Sequence, residues 1–286
     1  MALNKQVWTS QIMENFYPKT NFLNKVRDYS GFVDNDRIHI PSAGVDPKVL
    51  INNTTYPIKT VMREDYDNDI ELDVFSTENT KVRRPDSLEL SYDKLESVLS
   101  QHRSTLQVAV AKKAIHAFAP SEDTKDTPVI KTTGATTNSR KRIKFEDILT
   151  LKERFDEALI PLEDRYLVLH PKHVTDLMLE DLELFKDLTD LKDGEPRRFA
   201  GFGCYSFPFM PVYSNLSKVA FSEEMEGSFA SVAFHAKEVM RADGSIYMYS
   251  RVDDPEERAT IVGFDKRFIA VPIRNKGIGA IVSAAV

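Results

Sequence analysis

The stretch from Tyr92 to Ala119, YDKLESVLSQHRSTLQVAVAKKAIHAFA, is an uninterrupted helical signal and constrains the fold more than any other part of the chain. Leu95, Val98, Leu99, Leu106, Ala109, Val110 and Phe118 recur at the spacing that gathers side chains on one side of a helix with about 3.6 residues per turn. Neither Gly nor Pro falls within it. Ser91 or Asp93 is placed to cap its start, Glu96 closes a capping-box-like pair behind Asp93, and Pro120 blocks continuation. At about 1.5 Å rise per residue the helix spans roughly 40 Å, against an average soluble helix of about 11–12 residues. A rod of this length crosses a large domain, pairs in a coiled coil, or backs a sheet in an extended subunit. The stripe keeps no sustained heptad, which disfavours the coiled coil.

A chain of 286 residues can bury a real core, as one large domain or two moderate ones. Its 42% hydrophobic and 29% charged content is that of a globular protein rather than a disordered one. No apolar run approaches the length of about 18 residues that spans a bilayer, and MALNKQVWTSQIMENFYPKT lacks the apolar core of a secretory signal. The single cysteine, Cys204, excludes an internal disulfide framework and fits a reducing compartment. A formal charge of −6 argues against nucleic-acid binding by the outer surface as the main activity, and leaves room for a local basic patch.

Around the long helix the chain changes character several times. Ala2 to Tyr29 is amphipathic, broken by Pro18 and anchored by Trp8, Ile12, Phe16 and Phe22, as in a short helix that docks on something else. From Asp34 to Asp86, short apolar runs at Ile38–Ile40, Val49–Ile51 and Ile58–Met62 are punctuated by Pro41, Gly44, Pro47 and Pro57. Asp69 to Val74 alternates with the period of two that marks a half-buried strand. So little apolar content predicts an elongated hairpin that is stable only when laid over a neighbour. Ser121 to Arg142 is polar and reads as an exposed, mobile loop between subdomains, ending in the dense basic run Arg140-Lys141-Arg142-Ile143-Lys144. Phe145, Ile148, Leu149, Phe155 and Leu159 then predict one helix face. Tyr166–Leu169 reads as an apolar strand, and Val174, Leu177, Met178, Leu182, Phe185, Leu188 and Leu191 as a second helix ended by Gly194. Helices packed over a sheet follow. The remainder is mostly strands, with Asp243-Gly244 as a hairpin turn, Phe268–Val271 as a strand, and an apolar end, Ile281 to Val286, that does not wave freely in water.

Little in this pattern carries chemistry. His170, His173 and Asp176 form a metal-ligand trio on paper, the basis for a metal-dependent hydrolase. The plainer reading is a strand-to-helix junction in which Asp176 favours the helix N-terminus. Asp65, Asp67 and Asp69 begin like a calcium loop, but Ile70 stands where Gly is needed and Ser76 where Glu is needed. Gly201-Phe202-Gly203 and Gly277-Ile278-Gly279 lack the third glycine of a dinucleotide fingerprint. Cys204, among Phe202, Tyr205 and Phe207, reads as a buried small hydrophobe rather than a nucleophile. The expectation is a non-enzymatic protein without cofactor or metal.

The order of elements is itself a pattern: arm, extended hairpin, long helix, loop, then an α/β region with a strand return. It resembles the major capsid proteins of tailed bacteriophages, the α+β Hong Kong 97-type fold. Phe145 to Leu179, a helix, then Asp164-Arg165-Tyr166-Leu167-Val168-Leu169-His170-Pro171, then a helix, looks like that family's axial-domain passage. Gly201 to Pro211 followed by Val212-Tyr213-Ser214 looks like the stretch that comes next. The resemblance implies an N-terminal arm over 1–33, an extended hairpin loop over 34–90, a peripheral domain with the spine helix over 91–142, an axial domain over 143–255 and return strands over 256–286. It implies self-association into pentamers and hexamers, an icosahedral shell around double-stranded DNA, and a place in the virion after assembly in the host cytoplasm. Portal, decoration and scaffold proteins are the further partners it implies, the scaffold separate or absent because no room is left for a cleaved N-terminal segment; no membrane is involved. Arg140, Lys141, Arg142 and Lys144, with Arg83 and Arg84, are the residues expected to face the DNA. Arm, hairpin and C-terminus each leave surface for a neighbouring copy to cover. An encapsulin-type compartment shares the fold and encloses cargo enzymes instead; a monomeric tail or scaffold component is the further alternative.

Overall fold

The apolar stripe on the long helix needs a surface to cover, and two β-sheets supply it. The structure, a computed structural model, describes residues 21–42, 66–181, 198–222, 227–257 and 259–285. Helix α1, Arg84–Phe118, runs for 35 residues, about 50 Å. Leu99, His102, Leu106, Val110, Ala114 and Phe118 are buried along it at steps of three and four residues. The helix begins at Arg84, not at Ser91 or Asp93. Pro85 lies in its first turn, where a missing N–H forfeits no helical hydrogen bond.

The first sheet is built on a ribbon of two long antiparallel strands, Val239–Asp254 and Ala259–Pro272. At about 3.3 Å per residue the longer strand matches the helix in length. Arg27–Asp28 joins one edge in parallel, and Asp73–Ser76 and Thr80–Arg83 join the other. Asp243-Gly244 is therefore not a hairpin turn. The strand runs through it with a register shift between Asp243 and Ile246, and the chain reverses instead at residues 255–257. Gly244 serves close approach: a Cβ there would stand 2.7 Å from Arg267 Cβ and 2.8 Å from Leu72 Cδ2. The strand pairing also crosses the boundary at residue 255, since Val239–Asp254 lies beside the return strand rather than with the preceding α/β region.

In the second sheet, Arg165–Leu169 lies between Phe202–Ser206 and Ser228–His235. Ile278–Val282 inserts between Ser228–His235 and Val129–Lys131. The period of two sorts the faces. Val168 and Phe234 meet the α1 side, whereas Leu167, Leu169 and Ile281 meet helices α2, Phe145–Glu157, and α3, Pro171–Glu180. On α2 the buried face is Phe145, Ile148, Leu151 and Phe155. Leu149, 51% exposed, lies off it, and Leu159, 84% exposed, lies past the helix end where the chain turns with φ 54°. Val174 and Leu177 pack inward as read, and Leu182, Phe185, Leu188 and Leu191 lie outside the described residues.

Two expectations about free segments are corrected. Ser121 to Arg142 is not an open loop. Asp123 accepts a hydrogen bond from the Val129 N–H (2.9 Å), Val129–Lys131 joins the sheet, and Thr136–Thr137 pairs with Arg140–Lys141. The C-terminal apolar run is covered by its own subunit: Ile278, Ala280, Ile281 and Val282 are all buried. The hairpin forms as Arg37–Ser42 against Tyr66–Glu71, with Val49–Ile51 and Ile58–Met62 outside the described residues. Ile38 and Leu72 close a small cluster with Met240, Ala242 and Ile269. The alternation breaks at Leu72, whose N–H bonds the Asp36 carbonyl (3.0 Å), and Val74 is 49% exposed. Of the N-terminal anchors, Phe22 is buried on a single 3-10 turn, Phe22–Lys25, edge-on to Phe207 and Phe234. Trp8, Ile12 and Phe16 lie outside the described residues.

Candidate functional site

The basic run is drawn into the fold at its first residue. Asp176 on α3, 3% exposed, accepts from Arg140 Nη1 (2.5 Å) and Nη2 (3.0 Å) and from the Ile143 N–H (3.4 Å). Arg142 Nε stands 3.9 Å from the same carboxylate, and the Arg140 guanidinium lies over the Phe229 ring. These contacts tie the 136–141 hairpin to α3. Lys144 precedes α2, where its N–H donates to Asp147 (2.9 Å), and Lys141 is exposed. Arg83 and Arg84 sit on the other sheet, at the junction between Thr80–Arg83 and α1. The six cations thus come from separate elements. Sequence gave no sign of the Asp176 partnership, because the pair spans 36 positions.

His170, His173 and Asp176 do not converge on a metal. His170 caps α3, its Nδ1 accepting from the Lys172 N–H (3.1 Å) with the ring stacked on Phe229 at 4.1 Å. His173 is wholly buried between two hydroxyls, Ser231 Oγ at 2.6 Å from Nδ1 and Ser283 Oγ at 3.0 Å from Nε2. Burial pushes His170 down to about 4 and His173 to about 3, so both are neutral at pH 7. With both His173 nitrogens and both Asp176 oxygens taken, the hydrolase reading loses its ligands. Among the described residues no three His, Cys, Asp or Glu side chains are grouped to hold a metal ion. Asp67 and Asp69 lie in an extended strand, not a cation loop. Burial raises the Cys204 thiol to about 11, far from a reactive thiolate.

What the geometry leaves available is surface. On the first sheet, no strand among the described residues pairs with the outer edge of Val239–Asp254 from Ser245 to Val252. Along that stretch Met248 points into the core against α1, and Tyr247 and Tyr249 point out, 49% and 58% exposed. Val74, across the sheet, adds to the same exposed face through the Val74–Arg267 register. The end of this ribbon beside the hairpin is fixed by charge. Lys266, fully buried, bonds Asp243 (2.5 Å), and Arg241 reaches Asp28 (3.3 Å) and Asp243 (3.7 Å), fastening residues 27–30 to the strand. Among the described residues this strand edge is left open beside exposed aromatics, the kind of surface on which a further strand can pair.

No protein-family model and no curated protein matches the chain. Solved structures do. The capsid of the cyanophage P-SCSP1u matches over 94% of this chain and 90% of that one, with 14% identity and a TM-score of 0.66. Mycobacterium phage Che8 matches over 92% and 90%, with 15% identity and a TM-score of 0.63. The holo-SrpI encapsulin complex from Synechococcus elongatus PCC 7942 matches over 94% and 88%, with 9% identity and a TM-score of 0.59. The chain has the Hong Kong 97-type capsid fold. No helix among the described residues is long and apolar enough to cross a membrane.

Proposed function

We propose that this chain is a major capsid protein of the tailed-bacteriophage kind, forming pentamers and hexamers that close into an icosahedral shell around double-stranded DNA. The observation that carries this reading is the extent of the likeness. Nine-tenths of the chain aligns with nine-tenths of a phage capsid subunit. The open strand edge at Ser245–Val252 and the exposed Tyr247 and Tyr249 support it as surfaces for neighbouring copies. The hairpin based on Arg37–Ser42 and Tyr66–Glu71 is the element that would lie over the adjacent subunit, and portal, scaffold and decoration proteins would be its other partners.

The encapsulin reading rests on one specific observation, the match to an encapsulin complex at a TM-score of 0.59. Expression of the full chain followed by electron microscopy tests both. Closed particles of uniform diameter support a shell, and a stable small species on size exclusion at high concentration refutes it. Nuclease-protected DNA in particles from phage-infected cells supports the capsid. A co-purifying enzyme in place of nucleic acid supports the compartment.

A further inference from the structure

Three cations converge where the two sheets meet, none of them in the basic run that the sequence offered. Lys25 and Arg27 follow the buried Phe22-Leu23 turn, and Lys237 lies in the short turn between Ser228–His235 and Val239–Asp254. All three are exposed and line one open cavity of about 340 Å³ with Asn24, Ala236 and Asp164. Its walls are held by backbone. Arg27 pairs with Met240, the Ala236 N–H donates to the Asp164 carbonyl (2.9 Å), and Val26 is buried beneath. The Arg27 guanidinium lies over the Tyr29 ring, and among the described residues no carboxylate forms an ion pair with Lys25, Arg27 or Lys237. Among the described residues of the lining Asp164 is the only acidic one, so these residues carry a formal charge of +2 on a chain whose total is −6.

We infer that Lys25, Arg27 and Lys237 form a seat for the phosphate backbone of duplex DNA, which places the seam between the sheets on the inner wall of the shell. This rests on the capsid reading above and assigns to it residues other than Arg140 and Arg142, whose charge is directed at Asp176. The cavity is open, and its three cations are exposed on long side chains. That geometry suits sequence-independent contact with phosphates rather than a base-reading or small-molecule site. A single seat binds weakly, and its repetition in every subunit multiplies the effect.

The test is the salt dependence of binding to a fluorescein-labelled duplex, followed by anisotropy with the full chain. Each phosphate contact contributes a slope of about −0.9 in log K against log salt. Lys25→Gln, Arg27→Gln and Lys237→Gln together should flatten the slope by about 2 to 3, and each alone by about 1. Lys125→Gln, at an exposed residue outside the cavity, should leave it unchanged. The single variants keep the question answerable if the triple variant melts early. An unchanged slope in the triple variant, or no binding by the parent chain at low salt, overturns the seat. So does displacement of the duplex by inorganic phosphate at equal ionic strength, the behaviour of a small-anion site. Electron microscopy of the same preparations separates the two failures: particles with an unaltered salt slope sink the seat alone, and absence of particles sinks the shell.

Discussion

Arg140→Ala tests whether the basic run is structural at its first residue. The Arg140 side chain is 18% exposed and Asp176 3%, and two guanidinium hydrogen bonds join them. Removing one partner of a buried pair costs about 3–5 kcal/mol, because the other charge stays desolvated. Here Arg142, 3.9 Å away, can follow the carboxylate, and water reaches the rim, which lowers the expectation to about 2–3 kcal/mol. The Phe229 contact, with the guanidinium carbon 5.4 Å from the ring centre, adds about 0.5–1 kcal/mol. Lys141→Ala, one residue on and exposed, should stay within about 0.5 kcal/mol of the parent. The assay is urea unfolding of the unassembled full chain, where a stability change moves the midpoint at constant slope. Adding Asp176→Ala to Arg140→Ala should cost less than the sum of the two singles, with a coupling of about 1–3 kcal/mol. Equal, small shifts for Arg140→Ala and Lys141→Ala would refute the reasoning.

Acid should destabilise the subunit. His170 and His173 have folded pKa values depressed to about 4 and 3, so the unfolded chain binds more protons as pH falls below about 6.5, and stability declines from there toward the folded values. At pH 5 the buried His173 alone accounts for up to about 2 kcal/mol, read as a falling melting temperature between pH 7.5 and 5. Gly244→Ala should cost about 1–3 kcal/mol in the same denaturation assay, since its Cβ would meet Arg267 and Leu72; a neutral result would return Gly244 to an ordinary turn. Tyr247→Lys with Tyr249→Lys should suppress particle formation in light scattering while leaving the subunit's melting temperature nearly unchanged; normal assembly would remove this face from the contact surface.

The long helix was legible because its burial is periodic and local. Its true start was not, because Ser91 and Asp93 carry capping chemistry inside the helix and Pro85 is tolerated in a first turn. The junction at His170-Pro171 was legible because cap and proline act within a few residues. Asp243-Gly244 carries the same local signal for a turn as for a bulge, and pairing along Ala259–Pro272 decides between them. Val129–Lys131 was hidden because three residues have no period and the partner strand lies far away in the chain. The seat at Lys25, Arg27 and Lys237 joins segments more than two hundred positions apart, which no window along the sequence brings together.

The insertion of Ile278–Val282 between Ser228–His235 and Val129–Lys131 orders events during synthesis. Val129 waits for Ala280, roughly 150 residues later, before its parallel neighbour leaves the ribosome. Until then two strand edges stand open in the nascent polypeptide. A translation product stopped short of that strand cannot close the sheet on which α2 and α3 rest, so the fold withholds a finished building block until nearly all of these 286 residues have been made.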